Sequence, residues 1–247
     1  MHFGSNAPSL QTHLNAGGRK YKPDPLWPVL AAAPGRPFVI AQLGQSLDGR
    51  VATETGQSRN INREAALDHL HRLRAHVDAV VVGIGTVLAD DPLLTVRRTA
   101  GPSPARVIID PNGRLPPSAL CLAEDGVRRI VIRSAAASRP SCAEEVVIAR
   151  ANGVLDPHAI VRELFARGLT RILIEGGART VSAFIAAGAA DRLHVLVSPL
   201  IIGSGRPSIA LDPIAHLNEA LRPRTDVHVL PDGDVLFDCD LRRAETR

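Results

Sequence analysis

Two segments of this chain join a short apolar run directly to a glycine turn: Val80-Val81-Val82-Gly83-Ile84-Gly85-Thr86 and Arg171-Ile172-Leu173-Ile174-Glu175-Gly176-Gly177. A run without alternation suits a strand buried on both faces, as in a parallel sheet with helices above and below. The glycines end the strand and open the next helix. Such a turn lies at the carboxyl edge of the sheet, where open α/β sheets bind ligands and a helix N-terminus offers N–H groups to an anion. The pair points to a nucleotide-using enzyme.

Other strands are expected over 38–43, 77–82, 106–110, 129–133, 193–197, 226–230 and 235–239, with helices over about 63–76, 156–167 and 178–187. This order, βα units first and successive strands last, predicts an α/β fold. Its sheet should be mixed and largely parallel, with helices on both faces and an antiparallel C-terminal edge. The 247 residues suit one large domain, 37–247, behind an arm over 1–36 marked by Gly17-Gly18, Pro23, Pro25, Pro28 and Pro34. Trp27, with Leu26, Val29 and Leu30, is placed to pin this arm to the body or to a partner chain.

Composition removes several alternatives. The net charge of +4 is spread along the chain and aromatics are only 3%, too few for base-stacking platforms, so nucleic acid is not expected as a partner. The longest strongly apolar stretch, 79–85, is far shorter than the about 20 residues of a membrane helix. Cys121, Cys142 and Cys239 form neither a CxxC pair nor a His/Cys zinc spacing, which removes a zinc deaminase of the HxE…PCxxC type, and no metal is expected. The N-terminus lacks a secretory pattern, so the cytoplasm is the expected location.

The helix near 63–76 carries the first candidate. Asn62 can cap it and Glu64 suits its positive end. Leu67, Leu70, Arg74 and Val77 recur at helical spacing, which places Arg74 on the inward face. An inward guanidinium needs an anion, either a structural carboxylate or a ligand phosphate. His69, His71 and His76 read as surface residues. Gly83-Ile84-Gly85 begins like a dinucleotide fingerprint, but its third glycine would fall at Leu88, so the Rossmann signature fails. Asp90-Asp91-Pro92 reads as a turn closing a short helix, and Ser46-Leu47-Asp48-Gly49-Arg50 as a tight turn that could bring Asp48 to the site. In Glu175-Gly176-Gly177, Glu175 can accept from ligand hydroxyls while the amides beyond it hold a phosphate.

The blocks Gln42–Thr53, Leu73-Arg74-Ala75, Asp78–Gly83, Gly85–Arg97, Glu175-Gly176-Gly177 and Pro199–Gly203 resemble the bacterial pyrimidine reductases of riboflavin biosynthesis, from about Pro37 to Asp240. The resemblance implies a dihydrofolate-reductase-like fold, a homodimer and NADPH as hydride donor. It also implies reduction of the ribosyl group of 5-amino-6-(5-phosphoribosylamino)uracil to a ribitylamino product. By analogy, Ser58, Arg74, Leu94, Arg97 and Glu175 become substrate contacts, with Arg74 and Arg97 for the phosphate, which turns Arg74 towards a ligand. Gly44, Asn60, Thr86, Asp90, Pro111, Gly176, Gly177, Ala178, Arg179 and Thr180 become the NADPH cradle. Asp48 and Glu175 are the carboxylates nominated for proton handling, and Arg133 and Arg179 compete for the 2′-phosphate.

This chain departs from the family at Gly44-Gln45, at Arg59-Asn60, where many members carry an aromatic, and at Leu200, where a lysine is usual. Two other readings stay open: a diamino-pyrimidinone or pterin reductase on the same fold, and an NADPH-binding sensor without turnover.

Overall fold

A computed structural model describes residues 24–134, 142–151 and 153–242. The elements are α1 (Trp27–Leu30), β1 (Phe38–Ser46), β2 (Arg50–Thr53), α2 (Glu64–Arg74), β3 (Ala79–Gly83), α3 (Ile84–Asp90), β4 (Ala105–Ile109), β5 (Arg129–Arg133), β6 (Glu144–Val147), β7 (Arg150–Ala151), β8 (Val154–Leu155), α4 (Pro157–Ala166), β9 (Arg171–Glu175), α5 (Ala178–Ala186), β10 (Arg192–Ser198), β11 (Gly205–Pro207), β12 (Arg224–Val229) and β13 (Val235–Asp240). A nine-stranded sheet has the order β12-β13-β10-β1-β9-β3-β4-β5-β6. From β10 to β6 neighbours run parallel, and β13 and β12 add the antiparallel edge. This is the expected fold class.

Alternation along the buried strands divides the core between the two faces. Val81, Val107, Ile172 and Ile174 pack with Ile160 and Leu164 of α4 and Val181 and Phe184 of α5. Val80, Val82 and Leu173 pack with Leu73 of α2 and Ile84 and Val87 of α3 on the other face. Burial on both sides explains why these strands lack a polar alternation. Leu26 and Val29 of the arm are buried in the second cluster, whereas Trp27 is 50% exposed. The two aliphatics, not the tryptophan, are the pin; Gly17-Gly18 and Pro23 lie outside the described residues.

Helix α2 corrects three sequence expectations. Asn62 does not cap it: Asp234 Oδ2 accepts from the Arg63 amide (2.8 Å) and Asp232 Oδ2 from the Ala65 amide (2.8 Å), while Asn62 Nδ2 donates to the Leu196 carbonyl and to Asp234 (both 3.1 Å). The inward stripe runs through Ala66, His69 and Leu73, and Leu67 faces out. His69 and His71 are buried rather than superficial. The stripe is set by what it meets: Ala66 packs on Leu196 and Leu236, and His69 Nε2 lies 3.0 Å from Nδ1 of His194, whose Nε2 contacts Asp238 (3.1 Å).

Both helix histidines are held neutral. Burial, then His194 and Arg72, push the His69 pKa down to about 3, and burial, then the cations Arg74 and Arg97, push His71 down to about 4. Their ordinary value is 6.5, so as the pH falls below it the unfolded chain takes up protons that the folded chain refuses. The associated stability is complete above pH 6.5 and is lost towards pH 4. Urea unfolding should lose on the order of 3 kcal/mol for each ring, about 6 kcal/mol together, between pH 7 and pH 4; a flat profile across that interval would contradict the neutral burial of this pair.

Candidate active site

The nominated residues gather where β1, β3, β4 and β9 end. Gly176 and Gly177 both have positive φ (64° and 69°), a conformation that glycine adopts without steric cost, and they turn β9 into α5. No side chain caps α5 and its first turn carries no carboxylate. The other glycine turn sits against it. A methyl group on Gly177 would lie 2.7 Å from Thr86 Oγ1, and one on Gly83 would overlap the Thr180 hydroxyl. Thr86 on α3 and Thr180 on α5 thus each occupy the space left by the glycine of the other turn. Three of the nominated cofactor residues, Thr86, Gly177 and Thr180, therefore interlock around Gly83, with exposed Arg179 beside them. Arg179 has no ion pair among the described residues, whereas Arg133 is buried against Glu145 (3.4 Å).

Arg74 lies on the inward side, as expected, but its anion is a carboxylate of this chain. Its Nε donates to Glu175 Oε2 (2.7 Å), Nη2 to Glu175 Oε1, and Nη1 to the Thr95 carbonyl (2.9 Å). The pair is nearly buried, at 6% and 12% side-chain exposure. Burial disfavours the Arg74 charge, but Glu175 outweighs it and holds the pKa above the ordinary value. Of the two anions that helical spacing left open for Arg74, the carboxylate is the one this structure presents: its fork is filled by Glu175 and a carbonyl.

Arg97 is placed differently. Its Nη1 donates to Thr95 Oγ1 (2.8 Å), and no carboxylate pairs with it among the described residues. Partial burial and the nearby Arg74 cation hold its pKa below the usual range, against the pull of Glu175. A cation in that position is relieved by an added anion. Neighbouring Leu94 is buried with φ at 57°, and Asn60 has φ at 68°. Non-glycine residues rarely adopt this conformation, and such strain collects at ligand sites.

Ser58 Oγ donates to Asp90 Oδ1 (3.1 Å), joining the loop after β2 to the end of α3. Beside it Thr53, Gln57, Arg59, Asn60, Ile61, Leu200 and Ile202 line a cavity of about 280 Å³. The residues by which this chain departs from the family at 59, 60 and 200 thus line one cavity. A larger cavity, about 380 Å³, lies at the amino ends of β3 and β9, among Ala32–Gly35, Asp78 and Arg171, and none of the nominated residues lines it.

Asp48 has structural work. It accepts from Ser46 Oγ (2.6 Å) and from the amides of Ile202 (3.1 Å) and Gly203 (2.7 Å), and these bonds, the Ser46 one foremost, hold its pKa down to about 2. It is ionised at neutral pH and cannot serve there as a general acid. Gly44 is spoken for as well, because a side chain there would overlap the Asn62 amide. Pro111 is anchored through its carbonyl to Ser134 Oγ (2.8 Å) and Arg150 (3.0 Å). The adjoining Asp110 is fully buried; one carboxylate oxygen accepts from the Leu115 amide (2.9 Å), and the other has no partner among the described residues. Sequence reading missed His71, which lies one turn from Arg74 on α2 and accepts at Nδ1 from the Arg97 amide (3.0 Å). The i,i+3 spacing from Arg74 was the available signal.

Comparison with known proteins bears on the family and the fold. The reductase of 2,5-diamino-6-ribosylamino-4(3H)-pyrimidinone 5′-phosphate from Methanothermobacter thermautotrophicus is 38% identical over 176 residues, 68% of this chain and 80% of the relative. The riboflavin biosynthesis protein RibD of Mycobacterium tuberculosis is 34% identical over 229 residues, 86% of this chain and 60% of the relative. Among solved structures, the deaminase/5-amino-6-(5-phosphoribosylamino)uracil reductase of Thermotoga maritima superimposes with a TM-score of 0.71 at 30% identity, covering 83% of this chain and 56% of that one. The chain thus spans just over half the length of that bifunctional protein. The relatives are named as a pyrimidinone phosphate reductase in the first case and as proteins of riboflavin biosynthesis or of pyrimidine reduction in the others. The model of the RibD C-terminal domain matches residues 37–229, and the chain belongs to that family of oxidoreductases.

Proposed function

We propose that this chain uses NADPH to reduce the ribosyl group of 5-amino-6-(5-phosphoribosylamino)uracil to the ribitylamino product. The observation that carries the reading is Arg97, a cation without a carboxylate partner among the described residues, beside the buried Arg74–Glu175 pair. Arg97 receives the substrate phosphate. Glu175 offers about four acceptor positions, of which Arg74 fills two, and the remainder accept from sugar hydroxyls. Arg74 acts through Glu175, fixing its carboxylate in one orientation.

The cradle fits a dinucleotide. Uncapped amides at the start of α5, packed against Thr86, suit a diphosphate, and exposed Arg179 suits the 2′-phosphate. NADPH supplies the hydride when bound. The chain's part is alignment, which for such a transfer provides much of the acceleration.

The cavity beside Ser58 is the proposed place of the pyrimidine, and it favours a second reading. Arg59 and Asn60 supply donors where the family often has an aromatic, and the two archaeal relatives matched over most of their length, 80% and 84%, are named for a diamino-pyrimidinone phosphate. Purified chain with NADPH should consume absorbance in the presence of either phosphorylated pyrimidine, and kcat/KM on the two decides the acceptor. Unchanged absorbance with both would overturn the proposal.

The chain is further proposed to act in the cytoplasm as a homodimer. Leu200, Ile201, Leu211, Ile214, Leu217 and Leu221 are exposed along the segment between β10 and β12, apolar side chains that a second copy would cover. A monomeric mass in sedimentation equilibrium at micromolar concentration would count against the dimer.

A further inference from the structure

The segment that carries Arg97 has no ladder of its own. Residues 91–97 belong to neither helix nor strand, so the direction of the Arg97 side chain depends on what holds the backbone beneath it. Helix α2 grips that backbone at two points. Arg74 Nη1 donates to the Thr95 carbonyl (2.9 Å), and His71 Nδ1 accepts from the Arg97 amide (3.0 Å). The two side chains stand three residues apart, on adjacent turns of one face, so together they clasp residues 95–97 as a neighbouring strand would. Ser103 Oγ accepts from the Val96 amide between them (3.0 Å).

We propose that His71 is a positioning residue for phosphate recognition: by accepting the Arg97 amide it sets the backbone from which the Arg97 guanidinium reaches the substrate. The inference rests on the reading of Arg97 as the phosphate contact. An amide can only donate, so Nδ1 must be unprotonated and the ring proton sits on Nε2. Burial and the flanking cations Arg74 and Arg97 keep the ring in that state at neutral pH, with the pKa down at about 4. His71 is buried and is itself a member of no ion pair among the described residues, so its part in the site is geometric.

The test compares His71→Leu, which removes the acceptor, with His71→Asn, whose amide oxygen falls close to the place of Nδ1. His71→Leu should raise KM for the phosphorylated pyrimidine about tenfold with kcat within twofold, leave KM for NADPH and for the dephosphorylated pyrimidine unchanged, and lose nothing further when combined with Arg97→Ala. His71→Asn should restore most of the phosphate-dependent KM. Equal loss on both pyrimidines, or Asn performing no better than Leu, would overturn the proposal. Hydrogen exchange at the Arg97 amide separates the two layers of argument. Faster exchange in His71→Leu with no change in KM would show the clasp to be real and the phosphate reading of Arg97 to be wrong. Unchanged exchange would remove the clasp itself. Where His71→Leu does not fold, His71→Ser, too short to reach, takes its place in the comparison with Asn.

Discussion

Arg74→Ala is expected to lower the unfolding free energy by about 3–5 kcal/mol, because it leaves the Glu175 carboxylate nearly buried without its cation and the Thr95 carbonyl without its donor. In a chain of this length that corresponds to a fall in Tm of about 10 °C. Activity should drop by the same factor on phosphorylated and dephosphorylated pyrimidine, since the variant disorders Glu175 and residues 95–97 together rather than deleting a phosphate contact. Arg74→Met combined with Glu175→Gln should recover much of the stability, because no unpaired charge remains, while activity stays low. The contrary result is equally legible. An unchanged Tm with a loss confined to the phosphorylated substrate would mean that the guanidinium leaves Glu175 for the phosphate when substrate binds.

The balance between these outcomes illustrates what the sequence could and could not say. Helical spacing was enough to turn Arg74 inward and to demand an anion for it, but not to choose between a carboxylate and a phosphate. That choice depends on Glu175, which is 101 residues away and reaches α2 only because β9 lies beside β3 in the sheet. Eight of the nine strands of the large sheet were legible, with Arg129–Arg133 recovered to the residue, because burial on both faces writes a local signal, whereas the partly exposed edge strand β6 was missed. Short β2 and β11 pair only with each other and bury little, so they left none. The same distance effect misled the reading of α2. Its first amides are satisfied by Asp232 and Asp234, and its inward stripe is chosen by His194, Leu196 and Leu236, all from the far end of the chain.

Both glycine turns were read as ligand loops in isolation, yet their packing was invisible because it is mutual. Thr86 fills the hollow at Gly177 and Thr180 the hollow at Gly83, so each turn is defined by a residue of the other. Asp48 shows the reverse case. Its position after a strand suggested chemistry, but three donors from Ser46, Ile202 and Gly203 occupy it, and a carboxylate so well supplied is ionised and committed.

Arg97→Ala should produce the most selective effect in the site. If the phosphate is held by a charge-assisted contact in a partly desolvated place, its removal costs about 2–4 kcal/mol of kcat/KM, a loss of about 30-fold to 1,000-fold. The loss should fall on the phosphorylated pyrimidine alone, and Arg97→Lys should recover only part of it, because an ammonium cannot make the two-pronged contact of a guanidinium. Stability should change little or improve slightly, since Arg97 pairs with no carboxylate among the described residues and sits close to the Arg74 cation. That pattern is the opposite of the one expected at Arg74, where stability falls and selectivity does not. A variant that lost activity on both pyrimidines equally, or that melted several degrees lower, would place Arg97 in the scaffold and leave the phosphate without its proposed contact. The two arginines lie on neighbouring segments and share Thr95, one through its carbonyl and the other through its hydroxyl. Measured side by side, they separate the cation that builds the site from the cation that uses it.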